Sequence, residues 1–388
     1  VSRQVDSTLS RLQVTDTQRA LGLLGAYNRS AYRGPLVAIT GSSGKTTVKN
    51  MVAAVLSQSG NTLATEGNFN NEIGVPLTLL RLETSSQYAV VEMGAAAIGD
   101  IAWLCELGRP TVSLLLNVMP AHLEGFGSID RVARAKGEIF DGLGVGDVAV
   151  INADQQWAGD WRRRAGEATI IDFSRQGKAA VRLLESESRG LAGSLFPAAT
   201  PEGEITVNLG MPGEHNISNA LAAIAVGIAC DLSLGEISLG LETVRPVAGR
   251  LSAQRTAAGA VVVDDCYNAN PGSVRAAIDL LAAESGVRTL VLGAMRELGE
   301  GSEQWHRECG EYARESGLDR LVGVGIELRV AVEAFGPGGQ WYASCEEAVD
   351  ALASELSERD VLLVKGSRGA RMERVLQGLT APQGAGVN

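Results

Sequence analysis

The sequence predicts an α/β protein with two doubly wound units, a central one with a parallel sheet and a smaller Rossmann-like one at the C-terminal end. Three observations predict this fold class. Strand-like apolar segments alternate with helical patterns, the alternation restarts after a break at Pro246–Gly249, and a glycine- and serine-rich turn joins the first strand to the next helix. Strands that alternate with helices form parallel sheets covered on both faces. A chain of 388 residues also exceeds one ordinary core.

The central unit is predicted over residues 35–245, after a polar lead-in over residues 1–34 with one helical stretch near Thr17–Arg29. Apolar runs indicate buried strands, and apolar residues at helical spacing indicate helices. Residues 169–210 differ, because short alternating segments with glycine and proline predict an antiparallel excursion. The predicted strands are Leu36–Thr40, Tyr88–Glu92, Thr111–Asn117 and Asp147–Asn152, and the predicted helices are Lys45–Ser57, Ile98–Leu107, Ile129–Leu143, Asn216–Cys230 and Leu234–Val244.

The second unit is predicted over residues 250–388, after a linker at Pro246–Gly249. Its strand–helix alternation predicts a smaller doubly wound sheet. The predicted strands are Ala260–Asp264, Thr289–Leu292, Arg320–Val324 and Asp360–Val364.

The composition argues against two classes of protein, those that bind nucleic acid and those that span a membrane. The net charge of −11 argues against a nucleic-acid-binding surface, because phosphate backbones select basic patches. The sequence has no run of eighteen apolar residues, so we predict no membrane span. The five cysteines lack metal-ligand spacing and are interpreted as reduced thiols of a cytoplasmic enzyme.

The strongest motif is a short phosphate loop between the first predicted strand and helix. Small residues let backbone N–H groups approach phosphate oxygens, and the helix N-terminus favours negative charge. The lysine of the motif can neutralise phosphate, and the threonine hydroxyl after it can bind Mg²⁺. The alternative is a glycine–serine turn that happens to precede a lysine, but the strand and helix on either side favour the phosphate loop. The motif consists of Gly41, Ser42, Ser43, Gly44, Lys45, Thr46 and Thr47.

A metal ligand is predicted at the same edge of the sheet. Glu92 closes a buried strand, so its carboxylate lies at the carboxyl edge that also carries the phosphate loop. Mg²⁺ prefers such hard oxygen ligands. A glutamate at this position can also be a solvated strand end, and both interpretations remain open from the spacing alone.

The motifs together resemble the Mur ligase family, which includes folylpolyglutamate synthetase relatives. The shortened phosphate loop has the family form, and further segments resemble the branch that adds D-alanyl-D-alanine. The chain departs from the branch at Ala95–Ala97 and at Ala294, where polar residues and an aspartate are usual. The segments that carry the resemblance are Gly67–Leu80, Ala121–Gly127, Ala135–Phe140, His215–Ala220, Asp264–Pro271 and Lys365–Arg368.

The resemblance implies an ATP-dependent ligase of peptidoglycan precursor synthesis. Such an enzyme joins D-alanyl-D-alanine to the carboxylate of UDP-N-acetylmuramoyl-tripeptide through an acyl phosphate, and it uses ATP and two Mg²⁺ ions. We also expect a monomer that binds no nucleic acid and spans no membrane. The family's N-terminal domain, which holds the UDP part of the substrate, has no evident counterpart in residues 1–34. We therefore expect this chain to bind Mg-ATP close to normally and the UDP-linked substrate poorly.

The resemblance also assigns roles to residues for the nucleotide and the metal. Asn216 and Asn219 correspond to an adenine-contacting pair, Asp265 to a ribose contact, and Arg250 to the arginine that reaches the γ-phosphate. The metal ligands it implies are Thr46, Glu92, His122 and a carbamylated Lys136. From the residue type alone, His122 is more often a structural histidine, and the alternative for Lys136 is an exposed surface lysine.

A third group corresponds to the sites of the peptide substrates. These residues lie in the loop after the second predicted helix and at the end of the last predicted strand. Asparagines in loops more often form turns, so that interpretation also stays open. The residues are Asn68, Asn70, Asn71, Lys365, Ser367 and Arg368.

Two other functions remain possible from the sequence. One is a different amide ligase of the Mur or folylpolyglutamate type. The other is a weakened ATP-binding homologue, which Ala96 and Ala294 favour. The presence of Lys45, Glu92, His122, Lys136 and Arg250 argues for the active ligase.

Overall fold

A computed structural model describes residues 3, 8–120 and 123–380 of the chain. Within these ranges the backbone forms two sheets, one of ten strands and one of six, with helices packed against them. The predicted α/β class with two sheets is confirmed. The strands of the larger sheet are β1 (Leu36–Thr40), β2 (Thr62–Ala64), β3 (Tyr88–Glu92), β4 (Val112–Leu115), β5 (Val148–Asn152), β6 (Thr169–Ser174), β7 (Val181–Leu183), β8 (Glu187–Ser188), β9 (Ser194–Thr200) and β10 (Gly203–Leu209).

The larger sheet has the strand order β10–β9–β7–β6–β5–β4–β1–β3–β2, and β8 pairs with β9. Neighbours from β2 to β7 are parallel, whereas β9 runs antiparallel to β7, β8 and β10. The antiparallel excursion predicted over 169–210 therefore begins only at β8 and β9. Because β3 and β4 flank β1 on opposite sides, the strand order reverses there, which opens a crevice at the carboxyl ends of these strands.

Helices cover both faces of the larger sheet. All five residues of β1 are buried: Val37 and Ile39 belong to the core on one face of the sheet, and Leu36 and Ala38 to the core on the other face. A strand buried on both faces gives a continuous apolar run, which is why β1 is evident in the sequence. The helices are α1 (Thr17–Ala31), α2 (Lys45–Leu56), α3 (Gly74–Leu80), α4 (Asp100–Gly108), α5 (Leu123–Phe126), α6 (Ile129–Gly137), α7 (Ala158–Arg164), α8 (Glu214–Ala229) and α9 (Leu234–Thr243).

The smaller sheet has the order β11–β12–β16–β13–β14–β15, in which β11 is an antiparallel edge strand and the other pairs are parallel. No helix in the described ranges combines the length and apolar character that a membrane crossing needs. The elements are β11 (Ser252–Arg255), β12 (Val261–Asp265), β13 (Val287–Gly293), β14 (Arg320–Val324), β15 (Gly339–Tyr342) and β16 (Asp360–Lys365), with α10 (Pro271–Ala282), α11 (Ser302–Glu315), α12 (Arg329–Phe335), α13 (Cys345–Ala353) and α14 (Glu373–Thr380).

One predicted helix is shorter in the structure. The pattern over Ile129–Leu143 predicts a single helix, but α6 ends at Gly137 and a 3-10 turn follows over Glu138–Phe140. The Glu138 carboxylate accepts hydrogen bonds from the Gly99 and Ala102 N–H groups at the start of α4. The tighter turn therefore coincides with a side chain that caps a neighbouring helix.

Candidate active site

A cleft of about 1220 Å³ lies between the two sheets. One wall is formed by the phosphate loop and by residues that follow β3, β4 and β5. The other wall is formed by residues at the ends of β12 and β16 and at the start of α10. Both predicted units therefore contribute side chains to one site, at the carboxyl ends of their parallel strands.

The phosphate loop is held in shape by Asn117, which follows β4. The Ser42 N–H donates to the Asn117 carbonyl over 3.0 Å, and the Ser43 N–H donates to Asn117 Oδ1 over 2.9 Å. Asn117 Nδ2 donates in turn to the Ser43 carbonyl over 3.1 Å. Gly44 completes the turn in the left-handed region, with φ of +82°. The first-turn N–H groups of α2 lack intrahelical acceptors and are available to a phosphate.

Lys45 is the first residue of α2 and lines the cleft. Its ammonium donates to the Gly41 carbonyl over 2.8 Å. Burial lowers the pKa of Lys45, the Glu92 carboxylate opposes this effect, and the Arg250 guanidinium adds to it. An anionic ligand in the cleft would therefore stabilise the charged lysine.

Glu92 and Thr46 form the candidate metal centre. Glu92 is only 2% exposed. Its Oε2 accepts a hydrogen bond from the Thr46 hydroxyl over 2.9 Å, and its Oε1 accepts one from Asn70 Nδ2 over 2.7 Å. The Arg250 guanidinium donates to Thr46 Oγ1 over 3.0 Å. The position of Glu92 excludes the alternative of a solvated strand end.

The donor set of this centre fits Mg²⁺. A carboxylate and a hydroxyl are hard oxygen ligands, and Mg²⁺ in proteins usually keeps waters and substrate phosphates in its shell. Over the described ranges, no group of three or more His, Cys, Asp and Glu side chains is placed to hold a metal by itself. A cation bound here would therefore share its coordination with a phosphate ligand. The predicted ligand His122 lies outside the described residues.

Lys136 is buried in the wall of the cleft. It lies on α6 and is 1% exposed, so the alternative of a surface lysine is wrong. Burial lowers the pKa of Lys136 well below its ordinary value, and the nearby Lys45 ammonium lowers it further. The neutral amine of Lys136 is thus favoured, and a neutral amine is a nucleophile.

The predicted adenine pair joins α8 to the phosphate loop. Asn219 Nδ2 donates to Asn216 Oδ1 over 2.9 Å, and Asn216 Nδ2 donates to the Pro212 carbonyl over 2.7 Å. A Cβ placed on Gly44 would come within 2.9 Å of Asn219 Oδ1. Both side chains border the cleft, but these amide groups already have protein partners. The neighbouring His215 also lines the cleft, and burial lowers its pKa to about 4.

Residues of the smaller sheet complete the site. The Arg250 guanidinium stacks on the Tyr267 ring at 4.1 Å from its centroid. The Lys365 ammonium donates to Asp265 Oδ2 over 2.5 Å and to the Asn268 carbonyl over 3.0 Å. Burial raises the pKa of Asp265, and the Lys365 charge opposes that effect. Lys365 is therefore engaged with Asp265 at the cleft wall.

The asparagines of the predicted substrate loop line the cleft, but they differ in their contacts. Asn70 contacts Glu92, as described above. Asn71 Oδ1 accepts hydrogen bonds from the N–H groups of Ile73 and Gly74 over 3.2 and 2.9 Å, so it forms the turn that begins α3. Asn68 is exposed at the cleft. The turn-forming alternative therefore holds for Asn71.

The remaining predicted substrate residues lie at the end of β16. The Ser367 hydroxyl accepts a hydrogen bond from the Arg296 N–H over 2.9 Å and donates to the Ala269 carbonyl over 3.3 Å. This buried serine joins two loops of the smaller sheet. Arg368 is exposed and is not among the residues that line the cleft. The structure therefore does not bring Arg368 to the site.

Several residues of the cleft were not predicted from the sequence. Asn117 ends one predicted strand and Tyr267 follows another, so their position at the carboxyl edge was a usable signal. Arg175 and Gln176 border the cleft after β6, a strand that the sequence assigns only to an antiparallel excursion. Their role in the site depends on the parallel pairing of β6 with β5.

Comparisons with known proteins agree with this geometry. Residues 39–227 match the Mur ligase middle domain and residues 249–368 match the Mur ligase, glutamate ligase domain. The UDP-N-acetylmuramoyl-tripeptide--D-alanyl-D-alanine ligase of Escherichia coli is 44% identical over 98% of this chain and 84% of the relative. The ligase of the same name from Haemophilus influenzae is 40% identical over the same shares of the two chains.

Solved structures give the same result. The crystal structure of MurF from Acinetobacter baumannii has a TM-score of 0.93 at 36% identity, over 98% of this chain and 84% of that one. MurF ligase from Thermotoga maritima, solved in complex with ADP, has a TM-score of 0.86 at 29% identity, over 98% of this chain and 87% of that one. With these relatives and this cleft, the chain belongs to the Mur ligase family.

Proposed function

We propose that this chain is an ATP-dependent, ADP-forming ligase that joins D-alanyl-D-alanine to the carboxylate of UDP-N-acetylmuramoyl-tripeptide in peptidoglycan precursor synthesis. The observation that carries the proposal is the shared cleft, where the phosphate loop faces Arg250 and Asp265 of the other unit. The reaction is the one named for relatives with 44% and 40% identity. We also propose that the lead-in, central unit and second unit span 1–34, 35–245 and 250–388.

ATP binds with its phosphates on the loop from Gly41 to Thr47. The first-turn N–H groups of α2 and the Lys45 ammonium contact phosphate oxygens. Arg250 reaches the γ-phosphate from the linker, since its guanidinium already lies 3.0 Å from Thr46 Oγ1. Asp265 lies on the opposite wall and contacts the ribose, while Asn216 and Asn219 border the base. The ADP complex of the Thermotoga maritima relative supports this use of the cleft.

We assign two Mg²⁺ ions to the residues around the phosphate loop. Thr46 and Glu92 would hold one through the hydroxyl and the carboxylate, with His122 as a further ligand, and a carbamylated Lys136 would help to hold the second. The ions supply charge neutralisation on the phosphate oxygens. For Lys136, the proposal is supported by its burial beside Lys45 and by the low pKa of its amine. The amine adds to CO₂ and releases a proton, which gives a carbamate anion in place of a buried cation.

The reaction proceeds in two transfers. The tripeptide carboxylate attacks the γ-phosphorus, the bond from phosphorus to the β-bridging oxygen breaks, and ADP and an acyl phosphate form. The amine of D-alanyl-D-alanine then attacks the acyl carbon, and phosphate leaves as the amine loses its proton. The protein positions the reactants and neutralises charge through Lys45 and Arg250, without a covalent enzyme intermediate. The substrate loop with Asn68, Asn70 and Asn71, and Lys365 on the opposite wall, border the peptide groups in this proposal.

The proposal is tested by phosphate release from ATP. Purified protein is assayed with UDP-N-acetylmuramoyl-tripeptide, with or without D-alanyl-D-alanine, and the product is identified by mass spectrometry. We expect continuous phosphate release and a UDP-linked pentapeptide only when both substrates are present. Turnover with a single amino acid or with glutamate in place of D-alanyl-D-alanine would favour another amide ligase. No turnover with any acceptor would contradict the proposed activity.

A further inference from the structure

The Glu92 carboxylate joins two separate elements of the cleft. One oxygen, Oε2, accepts from the Thr46 hydroxyl on α2 over 2.9 Å. The other, Oε1, accepts from Asn70 Nδ2 in the loop before α3 over 2.7 Å. Since Glu92 is 2% exposed, these contacts and not solvent determine how the carboxylate is oriented. The orientation of the Glu92 carboxylate therefore depends on Asn70 as well as on Thr46.

Asn70 is itself held firmly. Its carbonyl accepts a hydrogen bond from the Gly94 N–H over 2.8 Å, just beyond β3. A Cβ on Gly94 would come within 3.0 Å of Asn70 Oδ1, so the amide packs closely on that backbone. The orientation of the amide is also fixed chemically, because an ionised carboxylate only accepts and the group that faces Glu92 must be the NH₂.

The same loop is anchored to Glu92 a second time. The Glu92 N–H donates to Thr65 Oγ1 over 3.0 Å, and Thr65 is a buried residue at the end of β2. The loop from Thr65 to Asn70 therefore contacts both the backbone and the side chain of Glu92. Asn70 is the member of this loop whose side chain reaches the carboxylate.

We propose that Asn70 is a positioning residue for Glu92 as a metal ligand, and that its amide does not serve primarily as a substrate contact. The inference rests on the proposed function, in which Glu92 binds Mg²⁺. One carboxylate oxygen is occupied by the amide donor, so the other is directed at Thr46 and the cation. Groups that orient a ligand in this way typically change metal affinity about 10–100-fold when they are removed.

The first experiment measures metal binding directly. Mn²⁺ is titrated into the protein with a non-hydrolysable ATP analogue, and free Mn²⁺ is followed by electron paramagnetic resonance. Asn70→Leu removes the donor at similar side-chain size, and we expect about tenfold or weaker Mn²⁺ binding. The matched control is Asn61→Leu, because Asn61 is an exposed asparagine at the turn before β2 and outside the cleft. We expect Asn61→Leu to bind Mn²⁺ like the unmodified protein.

A second variant gives a signature that a purely structural role would not produce. Asn70→Asp places a carboxylate against the Glu92 carboxylate, and two such groups share a proton. Metal binding must then displace that proton, so we expect Mn²⁺ affinity to rise with pH more steeply in Asn70→Asp than in the unmodified protein.

The outcomes separate the inference from the proposed function. If Asn70→Leu binds Mn²⁺ within about twofold of the unmodified protein, or if Asn70→Asp shows no added pH dependence, the positioning role of Asn70 is wrong while the metal site stands. If the unmodified protein binds no Mn²⁺ with the nucleotide analogue, the metal site of the proposed function fails and the inference fails with it. Weak Mn²⁺ binding by Asn70→Leu, together with a steeper pH dependence in Asn70→Asp, supports it.

Discussion

Three lysines border the cleft, of which Lys136 and Lys365 are buried and Lys45 is half-buried, and their partners differ. Lys365 donates to the Asp265 carboxylate, so its charge is compensated within the protein. Lys45 donates to the Gly41 carbonyl, and the pKa of Lys136 is lowered by burial and by Lys45. Burial of an uncompensated charge is unfavourable. The phosphate loop side of the cleft is therefore suited to receive anionic groups, whereas Lys365 is already neutralised.

The carbamate proposed at Lys136 predicts how substitution of this residue changes activity and stability. We expect Lys136→Ala to release phosphate at least about 100-fold more slowly, because a metal ligand is lost. Its melting temperature should be unchanged or higher, since a buried amine is removed. A short carboxylate such as acetate should partly restore activity by occupying the space of the carbamate. The measurements are phosphate release with and without acetate, and thermal unfolding.

Lys178→Ala is the control for this variant, because Lys178 is exposed. It should match the unmodified protein in both measurements. An active Lys136→Ala protein in CO₂-depleted buffer would show that no carbamate is needed.

His306 predicts how stability depends on pH. This fully buried histidine accepts the Met295 N–H at Nε2 over 3.0 Å, and its Nδ1 lies 2.7 Å from the Ser302 carbonyl. Burial lowers the pKa of His306 below 6.5. The unfolded chain therefore binds more protons as the pH falls through 6.5, and the folded state loses stability in that direction. In urea unfolding, we expect the contribution of His306 to the free energy of unfolding to be fully present above pH 6.5 and to decline below it.

The variant His306→Gln checks the origin of this slope. It should lose about 1 kcal/mol at neutral pH from its altered hydrogen bonds, and its stability should decline less between pH 6.5 and pH 5. Part of the slope should remain, because burial also lowers the pKa of His215. A slope equal to that of the unmodified protein would rule out His306 as its source.

At the scale of elements, the site is built from ends of strands and the first turns of helices. The phosphate loop joins β1 to α2, Glu92 ends β3, and Asn117 follows β4. Parallel strands bring these ends to one edge, so residues far apart in sequence meet without long loops. The turn at Gly44 is a tight part of this arrangement, with φ of +82° and Asn219 packed against it.

Gly44→Ala tests that turn. An alanine there is strained by about 1–2 kcal/mol in the left-handed region, and its Cβ would lie 2.9 Å from Asn219 Oδ1. We expect a lower melting temperature and weaker binding of an ATP analogue by calorimetry. Gly235→Ala in α9 is the matched control, because a Cβ there meets open space and alanine favours helix. Equal nucleotide affinity in Gly44→Ala and the unmodified protein would contradict the loop assignment.

Elements buried on both faces were predictable from the sequence, and half-buried ones were not. The ranges Leu36–Thr40 and Tyr88–Glu92 are the same in the prediction and in the structure, because a central parallel strand is a continuous apolar run. The strands β2 and β15 are only partly buried, and β11 is a largely exposed edge, so their residues carry no such pattern. The helix α3 begins with Gly74 and has Pro76 in its first turn, which resembles a loop in sequence.

Some residues of the candidate site could be predicted from the sequence, and others could not. The phosphate loop and Glu92 were predictable, because their position after a strand follows from local sequence. The burial of Lys136 and the contact of Asn70 with Glu92 depend on how distant segments pack, which no local pattern contains. For the same reason, the sequence could not show that Ser367 is engaged between two loops.

For the whole molecule, the two sheets meet through contacts on both sides of the cleft. Arg250 links the linker to Thr46 on α2. Gly272 at the start of α10 packs so closely on Met119 that a Cβ would come within 2.7 Å of its sulfur. Away from the site, Leu191 from the turn between β8 and β9 packs against the core of the smaller sheet. The described arrangement therefore brings both units into contact with the same ligand.

Because both units contribute residues to the cleft, we predict that ligand binding is accompanied by a rigid-body rotation about the linker near Pro246–Arg250. Small-angle scattering should show a smaller radius of gyration when a non-hydrolysable ATP analogue, Mg²⁺ and UDP-N-acetylmuramoyl-tripeptide are all present. Arg250→Ala removes the guanidinium that contacts Thr46 and stacks on Tyr267, so the contraction should diminish. Affinity for the analogue should fall about 10–100-fold, since a hydrogen bond to a charged group contributes about 1.5–3 kcal/mol.

The control for this prediction lies on the same segment. Arg255 is an exposed residue of β11 that donates to the Gly259 carbonyl and lies outside the cleft, so Arg255→Ala should contract and bind the analogue like the unmodified protein. The pair separates the loss of a cation near the linker from the loss of the specific contact to Thr46. Identical dimensions of the unmodified protein with and without ligands would contradict the rotation. Full contraction of Arg250→Ala would instead leave the rotation standing and assign its driving contacts to other residues, such as Gly272 and Met119, which pack together at the cleft.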